Sequence, residues 1–269
     1  MNAIDFEYDG QLASSWNLRF CQVDGDNGIE VSASGCTINF NQKSCKKGTL
    51  WFTTDTTYDE VLETTFQICK YEKGTGVVPL DIDEQRSITR WLNRKEPHKL
   101  RLISVDNTYD YVMFEGSFNI QKIETRFGTI GFELNFISNK PFATGEMIRR
   151  KISTEANKTY QIENLSDETG YIYPTRLIIE CLSAGDLELK NHFENRISII
   201  KNCKQGEDLS FDQFLNYSSS LSEHKLFNDF NYIFFRLSSD FSVRTNVIST
   251  SLNCNITIEY LPIIKGVGL

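Results

Sequence analysis

Histidine, cysteine and paired carboxylates are the residues of this chain that could do chemistry, and none of them stands in a catalytic pattern. His98, His192 and His224 each lie in a polar, turn-like stretch without a second ligand at metal spacing, so we expect three surface histidines. No G-x-S-x-G, G-x-x-x-x-G-K-[ST] or G-x-G-x-x-G is present, so a nucleophile elbow, a P-loop and a dinucleotide fold lack support. We therefore predict no enzyme, no metal and no cofactor.

A hydrolase with two catalytic carboxylates is an alternative with little support. Pairs such as Asp81/Asp83 and Asp106/Asp110 exist, but 36 acidic residues make such pairs inevitable. Only their abundance favours this function.

The seven cysteines are too far apart in sequence to suggest a zinc site. They form no C-x-x-C, and their number is odd. We expect reduced, buried thiols, with disulfides as the weaker alternative.

Composition limits the partners that the chain can have. Its 269 residues suggest two domains, and 40% hydrophobic residues are enough for two cores. The net charge of -8, without a long basic cluster, argues against sequence-independent binding to nucleic acid or to an anionic membrane. The first residues lack the basic and apolar regions of a signal peptide, so we expect synthesis and folding in a cytoplasm.

The clearest structural signal runs from Asp81 to Phe142. Asp81 with Glu84 predicts a helix start, and Ile88, Trp91 and Leu92 give that helix one apolar stripe. The segment 131–138 then alternates strictly between apolar and polar residues, which predicts a half-buried antiparallel strand. The whole stretch predicts a helix packed on a sheet.

The chain before this segment predicts strands. Ile4 to Tyr8 and Trp16 to Val23 read as two strands, and Ile29 to Val31 with Cys36 to Phe40 reads as a hairpin around Gly35. The polar segment 42–47 is expected to be the hydrophilic outer end of that hairpin.

The chain after Pro141 predicts a second domain. Residues 145–157 are highly charged and read as a connection between domains, which places the boundary near residue 145. Short strand-like runs then follow at even spacing and predict a β-sandwich: 159–164, 175–182, 187–190, 196–201, 209–211, 232–237 and 253–260. The segment 214–229 reads as a long loop or a short helix.

One stretch of this half suggests sugar binding. His192, Asn195 and Arg196 resemble the His-Phe-Asn-x-Arg stretch with which galectins hydrogen-bond galactose. Asn195 stands one residue late, and no tryptophan follows it. A vestigial carbohydrate site and a plain turn between two strands are both open.

Three stretches together resemble the distal tail protein family of long-tailed, non-contractile bacteriophages. The resemblance covers nearly the whole chain through the order and spacing of the segments 6–18, 88–142 and 256–269. It implies a mainly β chain: an N-terminal, β-sandwich-like, ring-forming domain of residues 1–145 with one helix packed on it, and a C-terminal galectin-like β-sandwich of residues 146–269. The last residues can return to the N-terminal domain.

The same resemblance implies a structural role. Six copies would form a ring at the virion tail tip, assembled in the host cytoplasm, between the tail tube protein and the tail-associated hub or lysin protein, with receptor-binding or other baseplate proteins attached. DNA would pass through the ring without sequence-specific binding, and no membrane would be bound. The alternative is a galectin-like carbohydrate-binding module in host recognition. Within the ring, Ile29, Val31, Ile38 and Phe40 are the expected subunit interface, and ordinary core packing is an equal alternative.

Overall fold

The chain divides into two compact units in the computed structural model. The structure describes residues 3–21, 38–45, 50–58, 61–105 and 110–265. The first unit contains the chain up to Thr144 together with Ile264 and Lys265, and the second contains Gly145–Ile263. Strands dominate both units, so the prediction of a mainly β chain is confirmed.

The first unit is built on one large antiparallel sheet. The elements of the unit are β1 (Ala3–Tyr8), β2 (Gln11–Leu12), β3 (Leu18–Cys21), β4 (Ile38–Cys45), β5 (Leu50–Tyr58), β6 (Glu63–Glu72), β7 (Gly76–Val77), α1 (Ile82–Leu92), β8 (His98–Ser104), β9 (Phe114–Thr125), β10 (Gly128–Ser138) and β11 (Ala143–Thr144). The strand order of the sheet is β2-β1-β8-β9-β10-β6-β3, and β7 pairs with β6. A short 3-10 helix, Ala13–Trp16, lies between β2 and β3.

Helix α1 begins where the sequence predicts. The Asp81 carboxylate accepts from the Glu84 backbone N–H at 2.7 Å, and the Glu84 carboxylate accepts from the Asp81 N–H at 2.9 Å, which completes a capping box. The buried stripe is Ile88, Trp91 and Leu92, as predicted.

Trp91 connects the helix to the first strand of the sheet. Its ring stacks on Phe6 with centroids 5.8 Å apart and on Trp16 at 6.0 Å. Its indole N–H donates to the Tyr8 carbonyl at 3.0 Å, so the polar atom of this large buried side chain is satisfied. Phe132, Leu134 and Phe136 of β10 alternate into the same core, as their spacing predicts.

The second unit is a β-sandwich. One sheet has the order β12-β22-β15-β18-β19, the other has the order β13-β21-β16-β17, and apolar side chains from both sheets form one core. Its elements are β12 (Ile148–Thr154), β13 (Thr159–Glu163), β14 (Gly170–Ile172), β15 (Arg176–Cys181), β16 (Gly185–Asn191), β17 (Arg196–Cys203), β18 (Asp208–Asp212), β19 (Tyr217–Ser219), α2 (Leu226–Asp229), β20 (Leu237–Ser239), β21 (Thr245–Thr250) and β22 (Cys254–Tyr260); β23 (Ile263–Ile264) follows at the end of the described chain.

Three sequence predictions for this unit need correction. The charged stretch read as a connection contains β12, which is polar because it lies at the edge of its sheet, where β22 is its one partner among the described strands. The segment 232–237, predicted as a strand, is mostly irregular, and β20 begins only at Leu237. Phe234 and Phe235 are nevertheless buried, so their apolar character reflects core packing and not a strand. The ambiguous segment 214–229 contains both β19 and the short α2.

The cysteines follow the sequence expectation only in part. Cys181, Cys203 and Cys254 are buried free thiols, as predicted. Cys21 and Cys69 instead form a disulfide between β3 and β6, so the prediction of reduced thiols is wrong for this pair. The two residues are 48 positions apart, and only the pairing of their strands brings them together.

Within the described ranges, no helix is long and apolar enough to cross a membrane.

The capping box allows a direct stability test. Replacing Asp81 with alanine leaves the Glu84 N–H without its acceptor, so we expect the free energy of unfolding of the first unit to fall by about 1 kcal/mol. Asp83→Ala, an exposed acid in the same turn, is the matched control with an effect of a few tenths of a kcal/mol. Chemical denaturation of both variants measures the difference, and equal losses would contradict a specific cap.

Candidate assembly interface

Strands β4 and β5 form a separate two-stranded ribbon, which we call the arm. Among the described residues, β4 and β5 pair with each other and belong to no other sheet. The pairing runs from Ile38 opposite Tyr58 to Cys45 opposite Leu50, with a bulge next to Asn41. The Thr54 hydroxyl donates to the Asn41 carbonyl at 2.9 Å, so this carbonyl keeps a hydrogen-bond partner at the bulge.

Both faces of the arm expose aromatic or aliphatic side chains. Phe40 is 60% exposed, Ile38 48% and Phe52 52%. Side chains alternate along β4, and Phe52 lies opposite Lys43, so Phe52 shares the face opposite to that of Phe40. Each face of the arm therefore exposes at least one large apolar side chain to solvent.

The root of the arm is attached to the first unit through Tyr58. Its ring meets Phe142 edge to face at 6.3 Å, and the Lys265 ammonium lies over it, 4.8 Å from the ring centre. Lys265 Nζ also donates to the Tyr58 hydroxyl. These contacts anchor the last residue of β5 to the rest of the first unit.

The arm contains two of the four residues expected at a subunit interface. Ile38 and Phe40 lie on β4 and are exposed, whereas Ile29 and Val31 fall outside the described residues. The predicted hairpin around Gly35 also lies largely outside the described residues. In the structure, Ile38 to Phe40 pair with β5, and β4 continues as a strand through Cys45 instead of ending in a polar tip. Phe52, which sequence reasoning missed, belongs to the same surface.

Two residues of the galectin-like stretch, His192 and Asn195, lie in the turn between β16 and β17, and the third, Arg196, is the first residue of β17. His192 Nε2 is 2.8 Å from the Ser249 hydroxyl, and Arg196 Nε donates to the Phe234 carbonyl at 3.0 Å. Asn195 is exposed and adopts a left-handed backbone conformation at φ 55°, which asparagine tolerates in turns. Galactoside binding at this turn stays a prediction.

A charge pair that sequence reasoning missed supports this turn. Arg236 donates to Glu194 Oε2 from Nε at 2.8 Å and from a second guanidinium nitrogen at 2.6 Å, and its guanidinium lies 3.6 Å from the Tyr171 ring centre. Ser238 donates to the other carboxylate oxygen. Burial raises the pKa of Glu194, but the hydrogen bonds from Arg236 and Ser238 outweigh it and hold the pKa below its ordinary value. No local pattern links residues 42 positions apart.

The histidines are engaged in structural contacts. His98 lies 3.3 Å from the Asp9 carboxylate. His224 corrects the prediction of three surface histidines, because its side chain is almost fully buried, with Nδ1 2.5 Å from Glu207 Oε1. Within the described part of the chain, no group of three His, Cys, Asp or Glu side chains could hold a metal ion.

The fold defines a mainly β protein of two compact units, the first of which carries an exposed two-stranded arm. Two family models match this chain, a phage tail protein N-terminal domain over residues 1–140 and a phage tail C-terminal domain over residues 142–260. The chain therefore belongs to this family of phage tail proteins. A comparison with curated protein sequences gives no match.

Solved structures give the fold. The chain is similar to the Dit (gp 19.1) protein of SPP1, described as a paradigm of the hub adsorption apparatus in phages that infect Gram-positive bacteria, with a TM-score of 0.61 and 14% identity over 96% of this chain and 98% of that chain. A chain of the phage P2 baseplate in its activated conformation with Ca has a TM-score of 0.46 and 10% identity over 97% of this chain and 98% of that chain. The family models thus confirm the expectation of a phage tail protein, and the likeness to the SPP1 Dit protein confirms a Dit-like fold.

The Glu194 pair predicts a pH-dependent contribution to stability. A carboxyl whose pKa is lowered by folding stabilises the folded state above its unfolded-state value of 4.5, and this stabilisation is lost as the pH falls through the lower folded-state pKa. Near neutral pH, Glu194→Gln should therefore reduce the free energy of unfolding of the second unit by about 1 kcal/mol. The difference from the unsubstituted chain should shrink below about pH 4.

Urea denaturation across this pH range measures the effect. Glu188→Gln, at an exposed position of β16, is the matched control and should show no such dependence. A Glu194→Gln deficit that stays constant down to the lowest pH would contradict the role of the ionised pair.

Proposed function

We propose that this chain is a structural component of the phage tail tip, where copies assemble through the arm into a ring. The observation that carries the proposal is the exposure of Phe40 and Phe52 on opposite faces of a ribbon that belongs to no larger sheet within the described residues. An isolated two-stranded ribbon is marginally stable in water at best, so a partner surface is needed to bury it.

The partner that fits best is a second copy of the chain. An arm that inserts into a different surface of its neighbour makes a heterologous contact, and such contacts close into a ring when the rotation permits. Membership of a phage tail protein family supports this arrangement, and the resemblance to distal tail proteins supplies the number six. Ile29 and Val31 belong to the proposed interface as predicted from the sequence.

The remaining partners follow from the place of such a ring. We expect the tail tube protein on one side, the tail-associated hub or lysin protein on the other, and receptor-binding or other baseplate proteins at the periphery. The Dit-like fold supports this placement. The net charge of -8 suits a ring through which DNA passes, because like charges do not retain a phosphate backbone. The proposed role is structural and not catalytic, in a virion part assembled in the host cytoplasm.

A single charge on the arm tests assembly. Phe40→Glu should weaken self-association about 30-fold or more, as expected for an anchor worth about 2 kcal/mol in an interface. The free energy of unfolding should stay within about 0.5 kcal/mol of that of the unsubstituted chain, because Phe40 is already exposed. Light scattering over a concentration series, alone and with the tail tube protein, measures the association.

The matched control is Phe127→Glu, at the 70% exposed tip of the β9–β10 turn in the same unit. This variant should assemble like the unsubstituted chain. A chain that stays monomeric in every combination, or equal losses for both variants, would overturn the proposal.

A further inference from the structure

The disulfide of the first unit closes the stretch of chain that contains the arm. Cys21 is the last residue of β3, which precedes the arm in the sequence, and Cys69 lies in β6, which follows it. The two cysteines are 48 residues apart, and the loop that they close contains the whole arm. The bond therefore joins the sheet strands before and after the arm.

The fold accommodates this bond without rearrangement. Arg19 lies opposite Cys69 and Cys21 opposite Gln67, so the two cysteines are diagonal neighbours on one face of the β3–β6 pair. Their Cα atoms are 6.0 Å apart, within the usual range for disulfides. The same backbone can thus hold either two thiols or one disulfide.

Strand β3 is held to the sheet by few hydrogen bonds. It has four residues, and among the described residues it stands at the end of the sheet and pairs with β6. A covalent link at the last residue of β3 prevents the strand from separating from β6.

The exposure of the two cysteines determines which of them reacts first. Cys21 is half-buried, whereas Cys69 is only 3% exposed. A reagent in solution therefore reaches Cys21 first, and Cys69 acts as the resolving thiol. The free thiols of the second unit, Cys181, Cys203 and Cys254, are buried and serve as internal references.

We propose that Cys21 and Cys69 form a redox-dependent lock between β3 and β6, a dithiol in the reducing cytoplasm and a disulfide in the oxidising medium outside the cell. Thiols are kept reduced in a cytoplasm, whereas disulfides form and persist in oxidising surroundings. The biological setting rests on the proposed function as a virion protein, whereas the chemistry belongs to the chain itself.

The oxidant is a low-molecular-weight disulfide. The Cys21 thiolate attacks one of its sulfurs, forms a mixed disulfide and releases the first small thiol. The Cys69 thiolate then attacks the Cys21 sulfur and releases the second small thiol. The protein loses two electrons and two protons, and the small disulfide takes up these electrons and protons to become two thiols.

The lock should raise the stability of the first unit. Closing the loop reduces the freedom of the unfolded chain, and we expect the oxidised form to unfold about 5–10 °C above the reduced form. Calorimetry of the full-length chain, equilibrated in buffers of reduced or oxidised glutathione, measures this shift. Peptide mapping after alkylation identifies the linked peptide.

Two variants make the test specific. Cys21→Ser should abolish the redox-dependent shift, and Cys45→Ser, which removes a cysteine of the arm within the same loop, should retain it. Cells that express the chain are lysed in denaturant that contains an alkylating reagent, which should modify both Cys21 and Cys69, whereas the chain kept in oxidising medium should yield the linked peptide.

Three results would overturn the lock: no linked peptide in oxidised glutathione, an unchanged shift in Cys21→Ser, or a Cys21–Cys69 link already complete inside intact cells. Light scattering on the same samples records assembly separately. Failure to assemble with a normal redox shift counts against the ring alone, and assembly without any shift counts against the lock alone.

Discussion

A ribbon of two strands cannot bury both of its faces against itself, and this constraint governs the first unit of the chain. The arm carries Phe40 on one face and Phe52 on the other, and both are more than half exposed. Burying an aromatic side chain is worth about 1.5–3 kcal/mol, so the arm gives up this free energy for as long as it lacks a partner. A phage tail protein that assembles with its own copies can recover it.

The remainder of the first unit packs a helix onto a sheet. Trp91 clamps α1 to the first strand by stacking on Phe6 and Trp16, and its indole N–H satisfies the Tyr8 carbonyl. In the sequence β3 precedes the arm and β6 follows it, and the Cys21–Cys69 disulfide joins these two strands. In the proposed ring, this link would help binding energy at the arm to fix the position of a neighbour.

The sequence predicts those structural features that depend on residues close together in the chain. The capping box of α1, its stripe of Ile88, Trp91 and Leu92, and the alternation of β10 each lie within a dozen residues, and all are present in the structure. The galectin-like stretch likewise lies at a turn between two strands, β16 and β17.

What the sequence does not predict depends on distant parts of the chain. The Cys21–Cys69 bond and the Glu194–Arg236 pair need strand pairing and packing that no local spacing encodes. Edge strand β12 looks like a linker, because an edge strand needs few apolar residues. Ile38 and Phe40, two of the residues predicted at a subunit interface, alternate like core residues, and their exposure becomes visible only in the folded chain.

Photo-crosslinking from the arm is the most direct test of the claim that another copy buries it. A photoreactive phenylalanine analogue in place of Phe40, in the purified chain at assembling concentrations, should give dimers of the chain on illumination, with the crosslink mapped to a surface of the neighbouring copy. Illumination that yields only links within one chain, or none, would contradict burial of the arm by a second copy.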